Sequence, residues 1–285
     1  MSENTQSDQI HFIRPVSGWF DLHLGDLWRY RDLIMLFVHR DFVSVYKQTV
    51  LGPLWYLIQP IMTTLVFTFI FGTIAKIPTD GVPPALFYFA GLTVWGYFSG
   101  CLTRTSSTFV SNAGIFGKVY FPRLSVPVSV VISGLIGFFI QLVLFLGILF
   151  FYILKGAVIS FNPLYLLTLP LLIVQVAALG LGFGIIVSSL TTKYRDLAQL
   201  VSFGVQLWMY ATPIAYPSSQ VPAQLQWVIA INPMTPVVEM FRFTFLGVGS
   251  INPCQIVQSV IATAIILFIG IILFSRVEKS FMDTV

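Results

Sequence analysis

The stretch GLIGFFIQLVLFLGILFFYIL, residues 134–154, carries no charge and a single amide, Gln141. A hydrocarbon layer is crossed by a helix of about 20 apolar residues, and this run has that length. Inside lipid each backbone group must find its partner within the segment, so the run is helical. A closed barrel would need short segments of alternating polarity, which the unbroken run excludes. Its apolar character extends back to about residue 126, and five further stretches qualify: about 52–75, 85–109, 164–190, 198–216 and 255–275. The expected fold is therefore an all-α integral membrane protein with six transmembrane helices.

Composition points the same way. Of 285 residues, 56% are hydrophobic and 9% charged, where a soluble domain has about 25% charged. Mean hydropathy is +0.88. Too few polar residues exist to cover a soluble surface, which excludes a soluble enzyme, a nucleic-acid-binding domain and a disordered chain. The net charge of +4 matters less than its placement. One side of the expected spans receives Arg14, Arg29, Arg31, Arg40, Lys47, Arg104, Lys118, Arg123, Lys193, Arg195, Arg276 and Lys279; the other receives only Lys76, Lys155 and Arg242. Basic residues collect on the cytoplasmic side, so both termini are expected there. The opening MSENTQSDQI has no basic start and no apolar core, so no cleavable signal is expected. Cys101 and Cys254 are far apart in sequence with no ligand spacing, so neither a disulfide nor a metal site is expected.

Two apolar regions do not span. Residues 26–48 put Leu27, Tyr30, Leu33, Ile34, Phe37, Val38 and Phe42 on one helical face, with most charges elsewhere. That pattern predicts an amphipathic helix in the cytoplasmic interface, or a plain anchor. The chain then divides into a tail, 1–25, an amphipathic interface helix, 26–50, and a six-helix domain, 51–285. Between spans five and six, VPAQLQWVIAI and MTPVVEMFRFTFLG are each too short to cross and meet at Asn232-Pro233. A re-entrant external helix pair fits this region, an ordinary loop being the alternative.

No enzyme constellation is present in the sequence. His11, His23 and His39 lack Cys or carboxylate neighbours in a cluster, and the stretch Gly114–Val119 lacks the spacing and hydroxyl of a phosphate loop. Ion-coupled carriers place acids or histidines in mid-membrane, and these spans hold almost none. Glu239 and Arg242, one turn apart, can pair with each other or contact cargo. Polar and aromatic stripes stand out instead: Gln199, Ser202, Gln206, Met209 and Pro213 with Trp208 and Tyr210 on span five, and Gly52, Trp55, Gln59 and Thr63 with Tyr56 on span one. Such residues suit a sugar path, or simply helix packing. Gly96 and Gly100, Ser133 and Gly137, and Gly180 and Gly184 read as close helix contacts. The short basic-aromatic loop with Lys118, Tyr120, Phe121 and Arg123 suits docking of a soluble partner, or merely obeys the charge rule.

Several motifs together carry a family resemblance. They are Arg40-Asp41, the run Tyr46-Lys47-Gln48-Thr49 with Leu51-Gly52 and Trp55, Gln59-Pro60, FAGLTVWGYF at 89–98, NAGIFGKVYFPR at 112–123, KYRDL at 193–197, TPIAYP at 212–217 and NPMTPVVEMFR at 232–242. From about residue 26 onward the chain resembles the permease subunits of polysaccharide ABC exporters, the type-2 export class that handles O-antigen, capsule or teichoic acid. The resemblance implies a homodimer in the cytoplasmic (inner) membrane, bound to two copies of a separate ABC ATPase that carries the ATP and magnesium. This chain would itself be no enzyme and hold no cofactor or metal, and nucleic acid would not be a partner. Its partners would be the ATPase, membrane lipids and a lipid-linked polysaccharide, most simply O-antigen. By the same resemblance Arg40, Asp41, Lys47, Lys118, Tyr120, Phe121, Arg123, Tyr194 and Arg195 would couple to the ATPase. Trp55, Tyr56, Gln59, Gln199, Gln206, Trp208 and Tyr210 would line a channel. Trp227, Pro233, Glu239 and Arg242 would belong to an external gate. An ABC exporter of a small lipid or drug shares this architecture, and a membrane scaffold without transport is a further alternative.

Overall fold

The computed structural model describes residues 24–47, 51–116, 118–119, 121–161, 163–192, 194 and 196–281, and among these every regular element is helical. In chain order they are α1 (Leu24–Arg29), α2 (Arg31–Lys47), α3 (Trp55–Phe67, continued as a π-helix over Thr68–Ile74), α4 (Pro84–Ser106), α5 (Thr108–Phe116) and α6 (Ser125–Leu154), followed by α7 (Leu169–Thr191), α8 (Leu197–Ala211), α9 (Gln226–Ile231), α10 (Met234–Leu246) and α11 (Pro253–Phe281). Among the described residues five segments are long and apolar enough to cross a membrane: Trp55–Ile74, Pro84–Ser106, Ser125–Leu154, Pro163–Thr191 and Pro253–Glu278. The protein is a multi-pass, all-helical membrane protein.

The fifth expected span differs from its sequence reading. Helix α8 stops at Ala211, and Thr212 is extended with φ −99° and ψ 140°. Pro213 is the cause, because its ring disfavours helical geometry at the residue before it. Fifteen residues rise only ~22 Å, short of the ~30 Å hydrocarbon layer. The loop expected after span two also has structure of its own, since Thr108–Phe116 forms α5.

Helix α4 is the centre of the bundle, packed against α3, α6, α7, α8 and α10. Of its eighteen most apolar residues 72% are buried, against 17% for α11 and 11% for α3. Its mean hydropathy is correspondingly low, 1.3 against 2.7 for α11. A helix that faces protein can carry hydroxyls, provided they are satisfied. Thr93 and Thr103 donate to the carbonyls of Phe89 and Ser99 one turn back, at 2.8 and 2.6 Å.

Apolar side chains gain little by leaving lipid for protein, so close approach and dispersion must hold these helices together. Glycines on α7 provide the approach. A Cβ at Gly180 would lie 2.6 Å from the Cys101 Cβ, and one at Gly184 2.5 Å from the Thr105 Cβ. On the opposite side, a Cβ at Gly182 would meet Ile266 and Leu267 of α11 at 3.0 Å. Gly137 instead receives the Tyr56 ring. The expected pair Gly96 and Gly100 divides: a Cβ at Gly96 would lie 3.7 Å from Gln141 Oε1 of α6, whereas one at Gly100 would meet nothing within 4 Å among the described residues.

Part of the apolar face of α2 is covered by the rest of this chain. Ile34, Phe37 and Val38 are buried within this chain. Phe37 joins Phe109, Phe116, Phe121, Val126, Ile185 and Phe274 in a second core at the end of the bundle that carries α2 and α5. Trp28, Met35 and Leu36 of α1 and α2 are exposed. The tail up to residue 23 lies outside the described residues.

Candidate functional site

At the end of α4 away from α2, Arg242 of α10 is completely buried, and Glu239 nearly so. The two pair at 3.8 Å, one helical turn apart. The remaining donors of Arg242 go to backbone: Nη1 to the Pro213 carbonyl at 2.5 Å, Nη2 to Ile214 at 2.8 Å and Nε to Phe87 at 3.3 Å. Its guanidinium also lies 3.6 Å from the centre of the Phe87 ring. Glu239 accepts the Ser250 backbone N–H at 2.8 Å. One planar fork thus ties α10, the turn after α8 and the first turn of α4. Gly91 makes this possible, since a Cβ there would be 2.7 Å from Nη2.

Asn232 is the second junction. Its Oδ1 accepts from the Trp208 Nε1 and from the Met234 backbone N–H, each at 3.0 Å. Its Nδ2 donates to Thr212 Oγ1 at 2.8 Å and to the Ala211 carbonyl at 3.3 Å. The Met234 bond satisfies an N–H at the start of α10, the Trp208 bond ties that start to α8, and the Nδ2 pair closes the broken end of α8. A third link runs from Gln175 Nε2 to Ser259 Oγ at 2.7 Å and on to the Pro233 carbonyl at 2.6 Å. Asn232→Ala should lower the thermal midpoint of the detergent-purified protein, with a loss of roughly 1–3 kcal/mol for the polar groups it leaves unpaired. An unchanged midpoint would show that the junction is incidental.

The expected channel residues separate into two sets. Trp55, Gln59, Gln199, Gln206 and Tyr210 are exposed. Tyr56 is half-buried on Gly137. Trp208 is turned into the core, its ring 5.0–6.1 Å from those of Phe183, Phe98 and Trp95. On α8 the half-buried Trp208 thus turns toward the core, while Gln206 turns outward. Helix α3 packs on α4 and α6, while α8 packs on α4 and α7, so the two helices that carry these exposed polar residues flank α4.

The expected gate residues divide similarly. Trp227 is exposed and Pro233 half-buried, whereas Glu239 and Arg242 have no surface to offer a cargo. Their contacts pin α10 to α4 and to the turn after α8.

At the α2 end, Arg40 and Lys47 are exposed, as are Lys118 and Tyr194. Phe121 and Arg123 are buried, contrary to the expectation of surface anchors. Phe121 packs 5.7 Å from Phe37 and 5.8 Å from Phe116. Arg123 donates Nη1 to the Glu278 carbonyl at 3.0 Å and lies over Phe116. Burial lowers its pKa from the ordinary value while the Glu278 carboxylate opposes that shift, and the guanidinium remains protonated. Tyr120 and Arg195 lie outside the described residues. Asp41 is mostly covered and is shared between Arg40, 2.9 Å away, and Arg104 of α4, 3.6 Å away.

The profile of the family described as "ABC-2 type transporter" matches residues 32–246. The chain belongs to that family. Among curated relatives of this ABC-2 type transporter chain is the "O-antigen export system permease protein RfbA" of Klebsiella pneumoniae, 28% identical over 88% of this chain and 94% of its own length. The protein of the same name from Myxococcus xanthus is 27% identical over 77% of this chain and 82% of its own. The "Polysialic acid transport protein KpsM" of Escherichia coli is 23% identical over 82% of this chain and 89% of its own. The matched region of this ABC-2 type transporter chain includes both ends of α4, the α9–α10 pair and both polar faces.

Sequence reading missed Asn232, Arg104, Gly91 and Gln175 as junction residues. Asn-Pro before an apolar helix was a readable cap signal. The others had none, because each meets a partner on a distant element.

Proposed function

We propose that this chain is the membrane subunit of an ATP-driven exporter of lipid-linked polysaccharide, O-antigen first and capsular polysaccharide second. The names of its relatives support the cargo class. The observation that carries the reading is the pair of polar faces on α3 and α8. Helix α3 has the least buried crossing segment, yet its mean hydropathy of 1.8 is below that of α6, α7 and α11. Exposed Trp55, Gln59, Gln199 and Gln206 would gain nothing from lipid tails. Facing a polymer, aromatic rings stack on sugars and amides bond their hydroxyls.

Two copies related by a twofold axis would bring α3 of one against α8 of the other and close a conduit between them. In this arrangement α8 and the broken segment after it form a sixth crossing. Both termini and the basic end face the cytoplasm of the inner membrane, following the placement of Lys and Arg. The α9–α10 pair is re-entrant from the outside. Two copies of an ATPase subunit bind ATP and magnesium and dock on exposed residues of the basic end, among them Arg40, Lys47, Lys118 and Tyr194; their sequence neighbours Tyr120 and Arg195 are assigned the same task. Closure of that pair moves rigid helices between two arrangements, and the lipid-linked glycan enters from the side and advances outward.

The test is reconstitution with the ATPase and a lipid-linked glycan in proteoliposomes. Trp55→Ala and Gln206→Ala should each reduce ATP-dependent export by about tenfold, the equivalent of ~1.4 kcal/mol of lost interaction, while the complex still assembles. Export at the wild-type rate would remove the channel assignment.

A further inference from the structure

Helix α4 is held by charge at both ends. In its last turn Arg104 Nη2 lies 3.6 Å from Asp41 Oδ2, while Arg40 Nε and Nη2 donate to Asp41 Oδ1 at 3.1 and 2.9 Å. The Asp41 side chain is 14% exposed, against 44% and 46% for the two arginines, so its carboxylate sits beneath them and faces its own chain. In the first turn of α4, the Phe87 carbonyl and ring carry Arg242 of α10. Between these points the helix is unbroken, with its one proline at the N-terminus. The separation of Phe87 from Arg104 corresponds to ~26 Å of helix rise. Helix α3 is built differently, with Pro60 inside it and a π-helical outer half, features that let a helix bend.

We propose that Asp41 is a positioning residue which joins α2 to α4, so that a displacement of α2 is delivered through Arg104 along α4 to Arg242 and the α9–α10 pair. This inference rests on the exporter reading above and gives Asp41 a different task from docking the ATPase. A straight, enclosed helix pinned at both ends moves as a unit, whereas α3 absorbs displacement in its bends. The second core seats α2 against the bundle through Phe37 and Phe121 but holds it by apolar contact, which can slide. The ion pair fixes register between α2 and α4.

The experiment uses the complex with its ATPase in proteoliposomes, reading ATP hydrolysis and exported glycan on the same sample. Asp41→Asn and Arg104→Gln should each retain the ATPase and hydrolyse ATP near the wild-type rate. Glycan moved per ATP should fall by about fivefold, the low end of measured coupling between sites. The exchange Asp41→Arg with Arg104→Asp, which also returns a carboxylate to Arg40, should restore most of that ratio. A wild-type ratio in both single variants overturns the proposal. So does loss of the ATPase from Asp41→Asn, which would make Asp41 a docking residue, or an exchange variant no better than the singles. If the wild-type complex moves no glycan on ATP, the exporter reading itself falls, and this proposal with it.

Discussion

Arg242→Ala is expected to deplete the folded protein, seen as a low yield of monodisperse material in detergent and a strongly lowered thermal midpoint. The guanidinium is fully buried and bonds three carbonyls on two other elements besides pairing with Glu239. Removing it strands a carboxylate that is only 3% exposed. Breaking a buried pair from one side costs about 3–5 kcal/mol, a large share of the ~5–15 kcal/mol that holds a typical domain. Arg242→Lys should rescue little, because a single ammonium cannot reach carbonyls arranged for a planar fork. Arg242→Met combined with Glu239→Leu should recover part of the loss, since no charge is then left unpaired. A wild-type midpoint for Arg242→Ala would show that α10 is held by its apolar contacts alone.

Gly184→Val should separate the two most closely packed helices. The Cβ would lie 2.5 Å from the Thr105 Cβ and 3.1 Å from the Leu102 carbonyl, so α7 must shift away from α4 as a body. Overpacking of this kind costs about 1–3 kcal/mol and occasionally more. The Thr191 hydroxyl, 3.0 Å from the Ser106 carbonyl and two turns further along α7, would lose its reach as well. Gly100→Ala is the contrasting substitution: its Cβ meets nothing within 4 Å, and alanine favours the helix by ~1 kcal/mol. Thermal unfolding of both variants should therefore move in opposite directions. Equal midpoints would mean that the glycine approach between α7 and α4 does not limit their packing.

Much of the helical frame was legible in the sequence, and its errors are instructive. The break at Asn232-Pro233 was visible because proline acts on its immediate neighbour. The same rule applied at Thr212-Pro213 shows why α8 is short; the apolar run through Tyr216 concealed it. For the site, spacing grouped Gln206, Trp208 and Tyr210 on one helix without deciding which faces outward. The answer depends on Phe98 and Phe183, which take the Trp208 ring and leave Gln206 and Tyr210 exposed. Phe121 and Arg123 resembled surface anchors because basic and aromatic residues are used for both docking and packing. Glu278, far along the chain, draws Arg123 inward.

The amino-acid order alone determined the environment of this protein, its helical character and the break at Asn232-Pro233. In lipid, unsatisfied backbone is so costly that length and hydropathy of a segment suffice to set its conformation. Tertiary structure alone decided which polar residues are junctions and which are surface. Arg242 and Phe87 are 155 positions apart, as are Arg123 and Glu278. Burial of a charge depends on which elements surround it, and local spacing holds no record of those elements.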